Sequence, residues 1–310
     1  MKNNTIVTAG DRNYLWGIFL LIASLRRNGM DEPVIVGTRG FDREAEEILK
    51  QMGDVRFYPL DNFPRSLTCC KAQVMLQAET EYITWADSDG FFHGNCSSRL
   101  IPENPGEIHI RMRSSEELPM AFKGYLYGED GRRIPQAVLD VWRKDVAGSE
   151  EPRILRSCSA CFLSVHRSAR PFLQKWHDQM MSVLPVGNVG VVDRSLKYYH
   201  QLDESVLNSC LAFFPGAPRV TENFRLDKNP DELFIHFIGQ PKPWQGWAPS
   251  AYRHFGKYVD VVEFALRQGW KMPGKIPYCL KRENRALCGL LRYPVSLNCK
   301  IQKRLRKIFR

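Results

Sequence analysis

The first ninety residues alternate short apolar runs with longer amphipathic segments, and this alternation restricts the chain to a small set of folds. Four short runs are rich in strand-forming residues, at 5–9, 33–37, 55–59 and 82–86. Three segments between them have helical periodicity, at 14–27, 42–52 and 69–78. Strands that alternate with helices pair in parallel, and the helices cover the sheet. The pattern predicts an α/β fold with a mainly parallel sheet, in which ligands bind beyond the carboxyl ends of the strands.

The rest of the chain has weak signals in its middle and clear ones after it. Between residues 91 and 156 we predict only a helix at 136–146, because proline, glycine and charged residues interrupt other patterns. After that segment we expect strands at 158–165 and 233–237 and helices at 171–181, 203–213 and 252–268. A stretch with proline and glycine at 271–277 then opens a basic tail, so we expect a main domain at 1–270 and a tail at 271–310.

The net positive charge of the chain comes from that tail. The whole chain has a net charge of +10, and residues 271–310 hold twelve Lys or Arg against one acid, Glu283. Residues 1–270 are left with a net charge of −1, which argues against a nucleic-acid-binding surface on the main domain. The nine cysteines are an odd number spread over a long chain, so we expect a reducing, cytoplasmic location rather than a disulfide framework. No apolar run approaches the roughly 20 residues needed to cross a bilayer.

Two carboxylates stand directly after the strand predicted at 82–86. Asp87 and Asp89 flank Ser88, and Gly90 allows the chain to bend so that both can face one cation. Hard oxygen ligands suit Mg²⁺ or Mn²⁺, which keep waters and bridge to the phosphates of a nucleotide. The same residues are good turn formers, so this motif alone does not separate a metal site from a polar turn.

The segment 236–244 (HFIGQPKPW) places an imidazole and an ammonium on one short loop. Gly239 allows a close approach of the backbone, and the prolines on both sides of Lys242 stiffen the chain around it. A lysine held in this way is a compact charge suited to a phosphate oxygen. His236 and Lys242 on one loop are therefore expected if the loop meets a metal-bound diphosphate.

These motifs resemble those of the family-8 glycosyltransferases, a retaining GT-A family that includes glycogenin and bacterial lipopolysaccharide glucosyl- and galactosyltransferases. Segment 236–244 is similar to the signature His-x-x-Gly-x-x-Lys-Pro-Trp, and 203–208 (DESVLN) is similar to the family's Asp-Gln-x-x-Leu-Asn. Segment 5–29 resembles the family's first strand, nucleotide loop and helix. The resemblance covers most of 5–247 and implies a GT-A fold, a mixed, mainly parallel sheet flanked by helices. It divides the main domain into a nucleotide-binding half (1–90), a metal and acceptor half (91–247) and a closing helix (248–270).

The resemblance also implies a role for each matching position. Asp87, Asp89 and His236 would hold Mn²⁺, or Mg²⁺, on the diphosphate of a UDP-sugar. Asp203 and Glu204 would lie near the transferred sugar as catalytic carboxylates. The remaining matches would contact the nucleotide sugar: Asp11, Asn13, Tyr14, Lys71, Ser88, Gly239 and Lys242.

Three positions depart from the family pattern. Glu204 replaces a Gln, and the added carboxylate would act as a nucleophile or bind a sugar hydroxyl. Ser159 replaces an Asn and Cys161 replaces a Gly, which leaves the identity of the donor sugar open. Cys158 and Cys161 also suggest a metal or redox pair, but side chains three residues apart on a strand diverge, so we expect structural thiols.

The end of the tail, 300–310, has the pattern of a basic amphipathic helix. The apolar residues of one helical face are Ile301, Leu305, Ile308 and Phe309, and Lys and Arg occupy the rest. This pattern is typical of a peripheral anchor on anionic lipids, where each basic residue contributes roughly 1 kcal/mol. A solvated chain end and a basic arm for nucleic acid are the alternatives.

Together these features predict a metal-dependent enzyme that moves glucose or galactose from a UDP-sugar to a saccharide or lipid-linked saccharide, and the family resemblance alone implies that it does so with retention. We expect it to act in cell-surface polysaccharide or lipopolysaccharide assembly, at the cytoplasmic face of the membrane. One alternative is an inverting enzyme that uses Asp203 or Glu204 as a general base. Another is a UDP-binding protein of the same fold that lacks turnover.

Overall fold

A computed structural model describes residues 3–122, 131–187, 190, 192–221 and 233–308 of the chain. Within these residues the strands are β1 (Asn4–Asp11), β2 (Val34–Arg39), β3 (Val55–Pro59), β4 (Tyr82–Ala86), β5 (Gly90–Phe92), β6 (Glu107–Met112), β7 (Cys158–His166), β8 (Arg219–Val220) and β9 (Phe234–His236). The α-helices are α1 (Leu15–Arg27), α2 (Arg43–Lys50), α3 (Lys71–Met75), α4 (Ser97–Leu100), α5 (Leu118–Ala121), α6 (Gln136–Val146), α7 (Arg170–Val183), α8 (Asp203–Phe213), α9 (Phe255–Arg267) and α10 (Arg285–Ile308).

Seven of these strands form one mixed sheet in the order β3-β2-β1-β4-β7-β6-β8. The pairs β1–β2, β2–β3, β1–β4 and β6–β8 are parallel, and β7 runs antiparallel to both β4 and β6. The strand–helix alternation of the first ninety residues therefore builds the parallel half, as predicted. This mixed, mostly parallel sheet with flanking helices confirms the predicted fold class.

Successive residues of the central strands enter two apolar cores, one on each side of the sheet. On β1, Ile6 belongs to one core and Val7 to the other, because adjacent side chains of a strand point to opposite faces. Helix α1 lies in the core of Ile6 and has ten buried residues. A helix that is apolar on nearly all sides is a buried helix, which explains the long apolar run at its start.

The strand pairings place the predicted site residues at one edge of the sheet. Strands β1 and β4 are parallel neighbours, so their carboxyl ends lie side by side; Asp11 is the last residue of β1, and Asp87 follows β4. Strand β5 pairs antiparallel with β9 in a second, two-stranded sheet, with Gly90 opposite His236. This second sheet brings a loop near the end of the main domain back to the residues that follow β4.

Two regions differ from the sequence prediction. The segment 91–156 contains β6 in addition to the predicted helix, and flanking prolines, glycine and charges hid this strand from pattern analysis. The tail helix begins at Arg285 rather than at 300 and continues through Pro294. Of the residues predicted to form its apolar face, Phe309 and the side chain of Ile308 lie outside the described part of the chain.

Among the described residues, no helix has the length and apolar character needed to cross a bilayer.

Gly17 on α1 faces the residues after β4 with no room for a side chain. A Cβ there would lie 2.4 Å from the Ser88 carbonyl oxygen and 2.6 Å from the Trp244 ring. We expect Gly17→Ala to lower the free energy of unfolding by about 1–3 kcal/mol through overpacking, measured by urea denaturation. The control is Gly256→Ala on α9, where a Cβ meets nothing within 4 Å and alanine favours the helix. Equal effects of the two substitutions would contradict this account.

Candidate active site

Asp87, Asp89 and His236 form a compact cluster of potential metal ligands. Each offers one ligand atom, and these atoms lie within 4.8 Å of one another. His236 Nε2 is 3.0 Å from an oxygen of Asp89 and 3.7 Å from one of Asp87. The close pairing of β5 and β9 requires Gly90, because a Cβ there would lie 2.3 Å from the Phe234 ring. Two carboxylates and an imidazole are a donor set that fits Mn²⁺ or Mg²⁺.

The charges of this cluster are paired within the protein. Lys242 Nζ donates hydrogen bonds to Asp89 Oδ2 and, at 2.7 Å, to the Phe237 carbonyl oxygen. Burial opposes ionisation of Asp89, but His236 and Lys242 hold the pKa of its carboxyl well below its usual range. Burial alone would lower the pKa of His236, yet the Asp89 carboxylate raises it well above the usual histidine value. His236 is therefore an imidazolium at neutral pH when no metal is bound.

Lys71 connects this cluster to the start of α8. Its ammonium lies 2.9 Å from Asp87 Oδ1 and 3.1 Å from Asp203 Oδ2, and it donates to the Ala160 carbonyl oxygen at 2.8 Å. Burial would lower the pKa of Lys71, but Asp203 and Asp87 raise it above the usual lysine value. Burial raises the pKa of Asp203 to about 6 despite the attraction of Lys71. The Asp203 carboxyl is thus ionised at pH 7 and faces the same space as Asp87.

Glu204 lies beside Asp203 in sequence, but its contacts differ. Its Oε1 accepts a hydrogen bond from the Arg113 guanidinium, and its Oε2 accepts one from the Ala160 N–H at 3.0 Å. The structure therefore separates the two predicted carboxylates. Asp203 joins the Lys71 network around Asp87, whereas Glu204 pairs with Arg113.

The predicted nucleotide contacts begin at the turn after β1. The Asp11 carboxylate accepts a hydrogen bond from the Asn13 N–H at 2.9 Å and so caps the short helix there. The Tyr14 ring packs edge-on against Trp244, with ring centroids 5.6 Å apart, and the Trp244 indole donates to the Asn13 carbonyl oxygen. Burial raises the pKa of Tyr14, and the nearby Asp89 carboxylate raises it further. This turn therefore adjoins both segment 236–244 and the cluster of potential metal ligands.

Two other predicted contacts, Ser88 and Gly239, differ in their exposure to solvent. Ser88 is buried between the two aspartates, with its backbone against α1. Gly239 is exposed and has a positive φ of 87°, a conformation that favours glycine. Lys242, which was predicted to contact a phosphate, is buried in this structure, and its ammonium pairs with the Asp89 carboxylate.

Sequence analysis did not identify two groups that hold the site together. Trp85 donates from its indole to Asp87 Oδ1 at 2.7 Å, and the Asp87 N–H donates to the Cys161 carbonyl oxygen at 2.9 Å. Arg113 follows β6, the strand that the sequence did not reveal, so no local pattern pointed to it. An indole on a buried strand also looks like an ordinary core residue.

At pH 7 we expect Mn²⁺ binding to release about one proton, because only a neutral imidazole binds a metal and His236 is protonated in the metal-free protein. The apparent affinity should rise with pH, by roughly tenfold per unit, until the raised pKa of His236 is reached. Isothermal titration calorimetry in buffers of different ionisation enthalpy measures this release. His236→Gln should bind Mn²⁺ more weakly and release no proton, and an unchanged release would contradict the assignment.

No protein-family model matches the chain, and no curated protein matches it significantly. Solved structures do match. The apo structure of the bifunctional glycosyltransferase WbbM has a TM-score of 0.55 and 13% identity, over 92% of this chain and 52% of that one. The galactosyltransferase LgtC, in complex with donor and acceptor sugar analogues, has a TM-score of 0.50 and 15% identity, over 85% and 95% of the two chains. The glycosyltransferase GlyE of Streptococcus pneumoniae TIGR4, in its apo form, has a TM-score of 0.50 and 15% identity, over 89% and 66%.

These matches concern the fold. The chain spans about half the length of WbbM, two thirds of GlyE and nearly all of LgtC. At such low identity the likeness shows a shared fold and does not identify the substrate or the reaction. The mixed sheet and its flanking helices have the GT-A fold, like that of family-8 glycosyltransferases, which the sequence resemblance had implied.

Proposed function

We propose that the protein is a metal-dependent glycosyltransferase that moves a hexose, glucose or galactose, from a UDP-sugar to a saccharide or lipid-linked saccharide, with retention. The proposal rests on one observation: the ligand cluster Asp87, Asp89 and His236 lies beside Lys71 and Asp203 at the carboxyl edge of a GT-A sheet. LgtC, which shares this fold, is known in complex with donor and acceptor sugar analogues. The setting we propose is cell-surface polysaccharide or lipopolysaccharide assembly.

The leaving group of this reaction is a diphosphate, and the site offers positive charge for it. A divalent ion held by the cluster would supply Lewis-acid stabilisation of the charge that develops there. Lys242 provides a fixed ammonium next to Asp89, and the turn from Asp11 to Tyr14 lies close enough to hold the nucleotide beside it. Positive groups that are fixed in advance stabilise a developing charge without reorganisation.

The sugar side of the reaction develops positive charge, and Asp203 supplies the matching carboxylate. It is buried, ionised at neutral pH and fixed by Lys71, which also holds Asp87. A fixed carboxylate in a buried site stabilises an oxocarbenium-like sugar more strongly than water does. We therefore propose that Asp203 stabilises the transferred sugar and that Lys71 fixes Asp203 relative to the metal ligand Asp87.

The test is turnover with purified protein, Mn²⁺ and a panel of UDP-sugars, measured as UDP release. We expect one hexose donor to be consumed, and Asp203→Asn to lower kcat by about 10²–10³ while UDP still binds. Turnover should rise with pH around 6, where the raised pKa of Asp203 allows the carboxylate to form. Asp140→Asn on the exposed face of α6 is the matched control and should leave kcat unchanged. Binding of UDP by the wild type without any turnover would instead identify a non-catalytic protein of the same fold.

We also propose that the basic tail holds the enzyme on an anionic membrane surface at the cytoplasmic face. Helix α10 carries exposed apolar side chains at Leu287, Leu290, Tyr293, Leu297, Ile301 and Leu305. Their spacing of three or four residues places them along one helical face. Leu290 is 75% exposed and Leu297 is 59% exposed, whereas Cys288 and Ser296, on the other side of the helix, are buried.

The charge of the tail favours lipid as the partner of this apolar face. Six Lys or Arg lie within residues 300–310, and the tail contains a single acid. The start of α10 is fastened to the main domain, because the Tyr252 hydroxyl donates to the Arg285 carbonyl oxygen and Arg292 stacks over the Tyr252 ring. An apolar helical face flanked by basic residues is the pattern of a helix that lies in the headgroup region of anionic lipids.

Co-sedimentation with vesicles tests this contact. We expect the full chain to pellet with phosphatidylglycerol-containing vesicles and much less with pure phosphatidylcholine, and to be released by high salt. Leu290→Ser combined with Leu297→Ser should reduce the bound fraction at least fivefold, because each exposed leucine loses apolar burial in the lipid. The control is Glu44→Ser combined with Lys50→Ser, at two exposed positions of α2. Unchanged sedimentation of the leucine variant would contradict membrane binding.

A further inference from the structure

The carboxylate of Glu204 is fully engaged by protein groups. One oxygen accepts from Arg113 and the other from the Ala160 N–H, and both Glu204 and Arg113 are largely buried, with side chains 14% and 15% exposed. Burial would lower the pKa of Arg113, but Glu204 raises it above the usual arginine value. A nucleophile or base needs an oxygen that faces the reacting atom, and both oxygens of Glu204 face groups of its own protein.

The backbone N–H and C=O of Ala160 form hydrogen bonds with side chains because an irregularity in the pairing of β6 and β7 leaves Ala160 without a partner on β6. Between β6 and β7 the register shifts, so that Ile110 pairs with Leu163 but Arg111 pairs with Ser159. The residues between Ser159 and Leu163 on β7 thus have no partner on β6. Buried backbone groups require hydrogen bonds from some other source, and here side chains of α3 and α8 supply them.

Three backbone groups at this irregularity have partners from the site. Glu204 accepts from the Ala160 N–H, and Lys71 donates to the Ala160 carbonyl oxygen. The Cys161 carbonyl oxygen accepts from the Asp87 N–H. The loss of Glu204 would therefore loosen Ala160, whose carbonyl oxygen orients Lys71, and through Lys71 it would affect both Asp87 and Asp203.

We infer that Glu204 and Arg113 are positioning residues, which fix Ala160 and thereby the Lys71 ammonium between Asp87 and Asp203. This inference rests on the proposed function and assigns the sugar-side chemistry to Asp203 alone. It differs from the sequence prediction, which grouped Glu204 with Asp203. It also gives a physical reason for Glu where the family has Gln, since only a carboxylate forms an ion pair with a buried guanidinium.

A double-mutant cycle tests the inference. We expect Glu204→Gln and Arg113→Met each to weaken Mn²⁺ affinity and donor kcat/KM by about tenfold, as loss of an outer partner of a metal ligand does. The double variant should be no worse than either single variant, because both substitutions remove the same support for Ala160. Arg113→Lys, which keeps a cation, should lie between Arg113→Met and the wild type.

The control is Arg111→Met, which removes the neighbouring ion pair with Glu117 and should leave both quantities unchanged. The inference is overturned if Glu204→Gln lowers kcat by more than about 10³ with unchanged Mn²⁺ and donor affinity, or if added azide restores its turnover. Multiplicative effects in the double variant would also overturn it. If the wild type consumes no UDP-sugar, the proposed function fails, and the cycle on Mn²⁺ affinity still decides the positioning role.

Discussion

The buried ammonium of Lys71 is the contact on which the rest of the site depends. It joins three parts of the fold, because its partners Asp87, Ala160 and Asp203 follow β4, lie on β7 and begin α8. A buried cation that lacks partners costs several kcal/mol, so all three acceptors must be in place when the chain is folded. The same hydrogen bonds that stabilise Lys71 therefore set the positions of Asp87, a proposed metal ligand, and of Asp203, the carboxylate that we propose for the sugar side.

The wider site is balanced in charge when no metal is bound. Three positive groups face three negative ones: Lys71, Lys242 and His236 with Asp87, Asp89 and Asp203. A divalent ion adds two charges to this set, and the proton that leaves His236 offsets one of them. With an ion on Asp89, Lys242 would be available to pair with a phosphate oxygen. The charge balance therefore favours joint binding of the ion and an anionic ligand, which is the behaviour expected for a nucleotide diphosphate.

Sequence analysis predicted the features that depend on local patterns. The parallel strands, helix α1 and the helix that begins at Asp203 were all predicted from sequence patterns, and the structure confirms them. The proximity of His236 to Asp87 and Asp89 required the family resemblance, because nothing local to these residues indicates that β5 pairs with β9. The catalytic and binding roles assigned to these residues stay predictions, although the structure brings the side chains together.

The features that sequence analysis missed share a physical origin. β6 is a short strand among prolines and charges, and its register shift against β7 is a property of the pair, which neither strand encodes alone. Arg113, which follows β6, and Ala160, which lies at the irregularity, share Glu204 of α8 as a partner, and no local pattern in the sequence indicates this contact. A fold of this type is compatible with many reactions, and the likeness to WbbM and LgtC, at 13% and 15% identity, concerns the fold alone. In this chain, side chains of α3 and α8 replace strand hydrogen bonds that the irregularity removes, and these contacts determine where Lys71 points.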